Sequence, residues 1–366
     1  MRNADALMIK YILNLVLIRD SFGWLVFSFM RNPHVPATHR KEEIMKKALV
    51  LALVMLFVGA ASLPAQTVLK LAETHPKGYP TELADEYFAQ LVTERSGGKL
   101  KVEVYPGNQL GEEKAAIEQV QLGAIAFTRV SSGPMAEFNK ALGAFSLPYI
   151  FDSGEHMWSY LNSADGQKLL DGLSASRFIG LCYYDPGARS FYSYKPIEKL
   201  EDLKGLKIRV IQNTINMELM QALGASATPM PYGQVFSSLQ THVIDAAENN
   251  FPSYLTANHY QVAKNYLVDS HQRVPEVLVM SKVVFDGLSK ADQDLIRQAA
   301  RDSVARQREL WSAFEKEAEA KVKAEGCVVT YVKDLTPFQK AVKPVFDAHP
   351  EYAEVLKDIA KARSAK

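Results

Sequence analysis

Several things that mark particular functions are scarce in this chain. It has only two cysteines, Cys182 and Cys327, in 366 residues. Both stand in apolar, strand-like contexts (Ile179-Gly180-Leu181-Cys182 and Cys327-Val328-Val329), which read as two buried thiols in preference to a disulfide. There is no G-x-S-x-G elbow, no H-E-x-x-H, no C-x-x-C, no Walker loop and no dinucleotide-binding glycine pattern. The eight histidines show no metal-ligand spacing, so neither a metal nor another cofactor is expected. Formal net charge is +1 with no basic stripe, which argues against a nucleic-acid partner. The chain has no repeats and no low-complexity linkers, and its body has no apolar run long enough to span a membrane. Together these absences move the reading from catalysis toward binding. A secreted enzyme acting on carboxylates stays open as the rival.

What is present is an ordinary globular composition, 48% hydrophobic and 23% charged. The chain is long enough for two domains of about 150 residues each. Near the N-terminus, Lys46 and Lys47 precede the apolar run Ala48 to Ala61, followed by Ser62-Leu63-Pro64-Ala65-Gln66. Basic, apolar and small residues in that order make a secretory signal peptide, with cleavage after Ala65 and a periplasmic destination. Met45 stands directly before Lys46, so residues 1–44 read as an extension from a mis-called start. The alternative, a membrane anchor over Tyr11–Met30, is interrupted by Arg19 and Asp20, which is costly in lipid. Without residues 1–65 the net charge becomes −3, so any anion site must concentrate positive charge locally.

Short apolar strands alternate with helical patterns, which is an α/β arrangement. Strands are expected at Val68–Ala72, Leu100–Tyr105, Ala124–Arg129, Phe178–Tyr184, Lys207–Ile211 and Val243–Ala247. Helices are expected at Pro80–Ser96 and Glu112–Leu122. From Ser289 to Gly326 no Pro or Gly interrupts a helical pattern, and Ser289 with Asp292 resembles a capping box. That segment is either two helices with an unmarked break or one helix long enough to span two domains.

Candidate binding residues gather where strands are expected to end. Arg209 lies near the carboxyl end of its strand, just before a helical pattern. Ligands of open α/β sheets bind at such ends, and the planar fork of arginine suits a carboxylate. The alternative for Arg209 is a solvated strand residue. Arg189 follows a Pro-Gly turn among aromatics, and Arg129 ends its strand before Ser131-Ser132-Gly133-Pro134. Asn249 offers both a donor and an acceptor, or is a turn residue. Tyr232 either stacks on a ligand or packs in the core.

Read as a set, these stretches resemble the solute-binding proteins of TRAP transporters, the DctP-like family. The resemblance runs from about Val68 to about Val342 and rests on blocks in the family's order. They are Tyr105-Pro106-Gly107-Asn108-Gln109-Leu110-Gly111, Leu147-Pro148-Tyr149, Asp202 to Arg209, Leu223-Gly224-Ala225, Pro229 to Gly233 and Leu239 to Asn249. The resemblance implies a two-domain periplasmic binding protein with an interdomain cleft, crossing strands and a long domain-spanning helix. The implied division is 66–186 with 275–314, and 187–274 with 315–366. It assigns Arg209 to the ligand carboxylate and Asn249 to helping hold it. Arg189 and Tyr232 match cleft positions that vary with ligand. Arg129, Ser131 and the Glu73-Thr74-His75 segment match cleft-lining stretches. His242 and Ala246 depart from the family pattern, which has glycine at both places. The block Gly187 to Tyr192 is closer to binders of sugar acids, hexuronates among them, than to binders of C4-dicarboxylates, which remain the alternative. The implied partners are a small organic acid and the membrane subunits of a TRAP transporter, with the receptor itself a monomer.

Overall fold

A computed structural model describes residues 66–363 and, apart from them, Met45. The N-terminal extension, the rest of the signal peptide and the rival anchor at 11–30 lie outside the described residues. The strands, in chain order, are β1 (Thr67–Glu73), β2 (Leu100–Tyr105), β3 (Phe127–Ser131), β4 (Phe178–Tyr184), β5 (Arg189–Ser193) and β6 (Lys207–Val210). They continue as β7 (Ser226–Pro229), β8 (Ala246–Asn249), β9 (Asn265–Gln272), β10 (Glu276–Ser281) and β11 (Val328–Tyr331). Four helices matter below: α1 (Pro80–Arg95), α2 (Glu113–Leu122), α3 (Phe251–Thr256) and α4 (Lys290–Ala324).

The strands form two sheets, one ordered β2-β1-β3-β10-β4 and the other β11-β9-β5-β8-β6-β7. In the first, β1 runs parallel to β2 and β3, and β10 lies antiparallel between β3 and β4. In the second, β6 runs parallel to β7 and β8, while β5 is antiparallel to β8 and β9. The chain crosses between the sheets at 185–188, from β4 into β5, and returns at 273–275, from β9 into β10. The structure thus has the expected mixed α/β architecture with crossing strands.

Helix α4 is a third passage between the halves. It is a single helix of 35 residues, about 50 Å long at 1.5 Å per residue. The Ser289 hydroxyl caps it by accepting from the amide of Asp292 at 3.2 Å. No glycine or proline breaks the hydrogen-bond ladder. Its two ends are buried in different cores. Ile296, Ala299 and Ala300 share a core with Phe88 and Val92 of α1, whereas Ala318 and Val322 share one with Phe251 and Tyr254 of α3. Between them α4 grips the first crossing. The amide of Asp185 donates to Gln307 Oε1 at 2.8 Å, Gln307 Nε2 donates to the Asp185 carbonyl at 3.1 Å, and the Tyr184 and Ser303 hydroxyls bond at 2.7 Å.

Two expected strands are displaced for the same reason. Gly123 turns left-handed at φ 80°, and the amide of Ala124 returns to the Gln119 carbonyl at 2.9 Å. The chain therefore finishes a helix cap at 124, and β3 runs over Phe127–Ser131 instead of 124–129. Likewise the Val243 amide donates to Ser238 O at 2.9 Å, which delays β8 to Ala246–Asn249. His242 sits in that cap at φ 56°, in the left-handed region that glycine favours. Ala246, the other departure from the family pattern, is fully buried opposite Ile208 of β6. Both thiols, Cys182 and Cys327, are buried and unbonded.

Gly187, in the first crossing, has φ 62°, and a Cβ there would lie 2.7 Å from Trp311 Cζ2 and 2.7 Å from Glu315 Oε1. Gly187→Ala combines a left-handed backbone with overpacking against α4. It is expected to lower stability by about 2–4 kcal/mol in urea unfolding. A loss below about 1 kcal/mol would show that the crossing is not held as tightly as these contacts indicate.

Candidate functional site

The carboxyl ends of parallel strands from both sheets converge on one narrow cavity. From the first sheet's side it is lined by Thr74 and His75 after β1, Ser131 and Glu276 at the facing ends of β3 and β10, and Glu113 at the start of α2. From the second come Arg189, Arg209, Ile211, Tyr232, Asn249, Asn250 and Ser253. A smaller cavity adjoins it and shares Glu113, Arg209, Ile211 and Tyr232. A wider concavity lies on the outer surface along α1, but none of its polar side chains is buried. We place the site in the cavity between the sheets, where buried polar groups converge.

The two sides touch across it. The Tyr79 hydroxyl bonds Ser253 Oγ at 2.9 Å, the amide of Gly233 donates to Glu112 Oε2 at 3.5 Å, and the rings of His75 and Tyr232 meet edge-on at 5.5 Å. His75 is stacked on Tyr79 at 3.9 Å. The cleft is thus closed.

Three arginines are buried here, and they differ in what meets their charge. Arg129 is central in the first sheet, between β1 and β10. Its Nε donates to Glu73 Oε2 at 2.7 Å, its NH2 to Glu73 Oε1, and its NH1 to Glu276 Oε2 at 2.6 Å. Burial opposes ionisation of Glu73, but Arg129 beside it holds its carboxyl well below the usual range. Arg189 is similarly occupied. Its Nε and NH2 donate to the Glu248 carboxylate, and NH1 donates to Asn249 Oδ1 at 2.9 Å. Burial disfavours the Glu248 charge, yet Arg189 and His271 hold its pKa at about 2. His271 continues the chain of charges. Its Nδ1 lies 2.9 Å from Asp269 Oδ1 and its Nε2 3.7 Å from Glu248 Oε2. Burial would lower its pKa, but Asp269 and Glu248 raise it to about 9.

Arg209 is different. It is 3% exposed, and among the described residues no carboxylate lies within ion-pair distance of it. Its Nε and NH2 donate only to the Met230 carbonyl, at 3.1 and 2.9 Å. Burial lowers its pKa from the ordinary guanidinium value and Arg189 adds to that, against the more distant attraction of Glu248 and Glu113. An arginine remains charged at neutral pH even so. The cavity therefore presents one buried cation with no counter-ion, which is the electrostatic definition of an anion site.

Known proteins point the same way. The profile of the family described as bacterial extracellular solute-binding protein, family 7, matches residues 71–353. The chain belongs to that family. Its members are periplasmic binding proteins. A solute-binding protein of Chromohalobacter salexigens is 37% identical over 295 residues, covering 79% of this chain and 88% of that one. A TRAP periplasmic solute-binding protein of Xanthobacter autotrophicus, solved with β-D-galacturonate bound, is 41% identical with a TM-score of 0.79, covering 81% of this chain and 100% of that one. Another from Pseudomonas putida, with bound D-glucuronate, is 38% identical with a TM-score of 0.79, covering 80% and 97%. Among the described residues, no helix is long and apolar enough to cross a membrane, and no group of His, Cys, Asp and Glu could hold a metal ion.

Of the residues expected from sequence to meet a ligand, the structure of this family 7 protein brings Arg209, Arg189, Asn249, Tyr232, His75 and Ser131 to the cavity wall. It places Glu73 and Arg129 behind that wall. Arg129 thus meets the lining residues Glu276 and His75 without lining the cavity itself. The strand runs two residues further than expected, so Arg129 lies mid-strand and its donors are engaged by Glu73 and Glu276. Sequence reasoning missed Glu113, Glu276, Glu248 and His271. Glu113 lies two residues after a recognised block and Glu248 inside another, but nothing local marked Glu276 or His271.

The pairing pattern separates stability from binding. Arg129→Met strands Glu73 and Glu276 as buried charges and is expected to cost about 3–5 kcal/mol. Arg209→Met removes an uncompensated charge and is expected to leave the melting temperature unchanged or higher. Thermal unfolding of both variants checks the contrast, and equal destabilisation would contradict it. His271 sets a pH dependence. Its pKa is raised in the fold from 6.5 to about 9, so the stability it contributes is complete below 6.5 and is lost as pH rises through about 9. His271→Asn should flatten the stability profile in that window, and an unchanged slope would overturn the assignment.

Proposed function

We propose that the protein is the periplasmic receptor of a TRAP transporter and captures a hexuronate of the glucuronate or galacturonate type. One observation carries this reading: the buried cation of Arg209, without a counter-ion, on the wall of a closed cavity between two sheets. A ligand carboxylate would accept two parallel bonds from that guanidinium and neutralise it. Asn249, His75 and the carboxylates on the wall offer donors and acceptors for hydroxyl groups. Solved relatives with bound uronates support the choice of ligand. A C4-dicarboxylate needs a second free cation, and Arg129 and Arg189 are each engaged by carboxylates. In this reading the protein acts as a monomer without cofactor or turnover, hands its ligand to membrane subunits, and is exported by cleavage after Ala65.

Calorimetry with D-glucuronate and D-galacturonate is expected to show one site per chain and no product. Arg209→Ala should weaken binding by about 2–5 kcal/mol, roughly 30-fold or more. Arg209→Lys should also bind poorly, since a point charge cannot reproduce the fork. Binding of Arg209→Ala within a factor of about two of the parent would sink the proposal.

A further inference from the structure

Resting on that reading, we infer that Glu113 and Glu276 act as a charge filter that admits sugar acids with one carboxylate and rejects those with two. Both residues line the cavity that holds Arg209. Both also face the same nitrogen of Arg129, whose NH1 is 2.6 Å from Glu276 Oε2 and 3.7 Å from Glu113 Oε1. Glu73 already occupies the other two nitrogens of that guanidinium. Three carboxylates therefore share one cation on the first sheet's side of the cavity. On the second sheet's side, Arg189 is matched by Glu248, and Arg209 alone is left over.

The cavity is thus polarised. Its one uncompensated positive charge lies on one wall, and its surplus negative charge on the wall that closes against it. An acid whose carboxylate sits on Arg209 must turn its remaining groups toward Glu113 and Glu276. Hydroxyls there donate to a carboxylate, a charge-assisted bond. A second carboxylate there meets like charge at low dielectric with no free cation to relieve it. The site is already at its limit of negative charge. Burial and the neighbouring Glu276 raise the pKa of Glu113 to about 7, against the pull of Arg129. Glu113 is held in place by accepting the Ser131 amide at 2.9 Å, so it cannot easily swing away.

The test compares D-glucuronate with the diacid D-glucarate, and uses D-gluconate as the open-chain acid with a neutral end. Isothermal titration of the purified protein, at a pH well above the Glu113 value of about 7 so that its carboxylate is ionised, is run for the parent, Glu113→Gln, Glu113→Ser and Glu276→Gln, each first shown to unfold cooperatively. The readout is the change in the glucarate-to-gluconate and glucarate-to-glucuronate affinity ratios on substitution, which cancels differences of shape. The parent should bind glucuronate and discriminate against glucarate. Each Glu113 variant should shift both ratios toward glucarate by about tenfold or more, because one like-charge contact is relieved. Glucuronate binding itself should weaken, since a strong hydroxyl acceptor is lost. Ratios that stay fixed in both Glu113 variants overturn the filter, as does a parent that binds glucarate as tightly as glucuronate. A parent that binds neither glucuronate nor galacturonate, with or without glucarate, overturns the hexuronate reading as well. Glu276→Gln also loosens Arg129, so a shift there supports the filter only together with a shift in a Glu113 variant, and a shift in Glu276→Gln alone counts against it.

Discussion

A buried charge must be met by an opposite charge or it opposes the conformation that buries it. In this protein that constraint falls on Arg209. Its guanidinium is 3% exposed and is answered only by the carbonyl of Met230. Closing the two halves over Arg209 removes water from it, at a cost of several kcal/mol for an unpaired ion. A carboxylate supplied from solution removes that penalty and does so best in the closed form. The ligand therefore has a differential interaction with closed and open states, which is what a shift of population requires. The neighbouring arginines cannot serve in this way, because their acids come with the chain.

The scaffold ties the two sheets together at several places. Each sheet carries its own fixed ion pairs, Arg129 with Glu73 and Glu276 in one and Arg189 with Glu248 in the other, while one hydrophobic core joins Val130 and Val277 of the first to Ile208 and Ala246 of the second. The halves are joined by two short crossings and by α4, whose ends are buried in different cores. Gln307 and Trp311 of α4 rest on the first crossing at Asp185 and Gly187, so the joint is packed, not loose.

Much of the fold was legible because its signals are local. The uninterrupted pattern after Ser289 marked helix, and the structure resolves its two readings in favour of one long helix, while Lys207 to Arg209 alternated as a strand should. Arg209 and Asn249 could be named because strand ends in α/β proteins face ligands and because both sit in recognisable blocks. What failed depends on contacts distant in sequence. Arg129 looked like a strand-end residue, but Glu276 on β10 lies beside it and consumes a donor. Glu248 looked like a neighbour of the binding asparagine, but it is the counter-ion of Arg189 and a neighbour of His271. No spacing rule tells a paired arginine from an unpaired one, because the partner arrives through the topology of the sheet.

The account turns on which arginine holds the ligand's acid group. A crystal structure with D-glucuronate bound decides this directly. The account predicts both carboxylate oxygens within hydrogen-bond distance of the Arg209 guanidinium, with Arg129 still on Glu73 and Glu276 and Arg189 still on Glu248. A carboxylate bound to Arg189 or Arg129, with Arg209 left on the Met230 carbonyl alone, would contradict it.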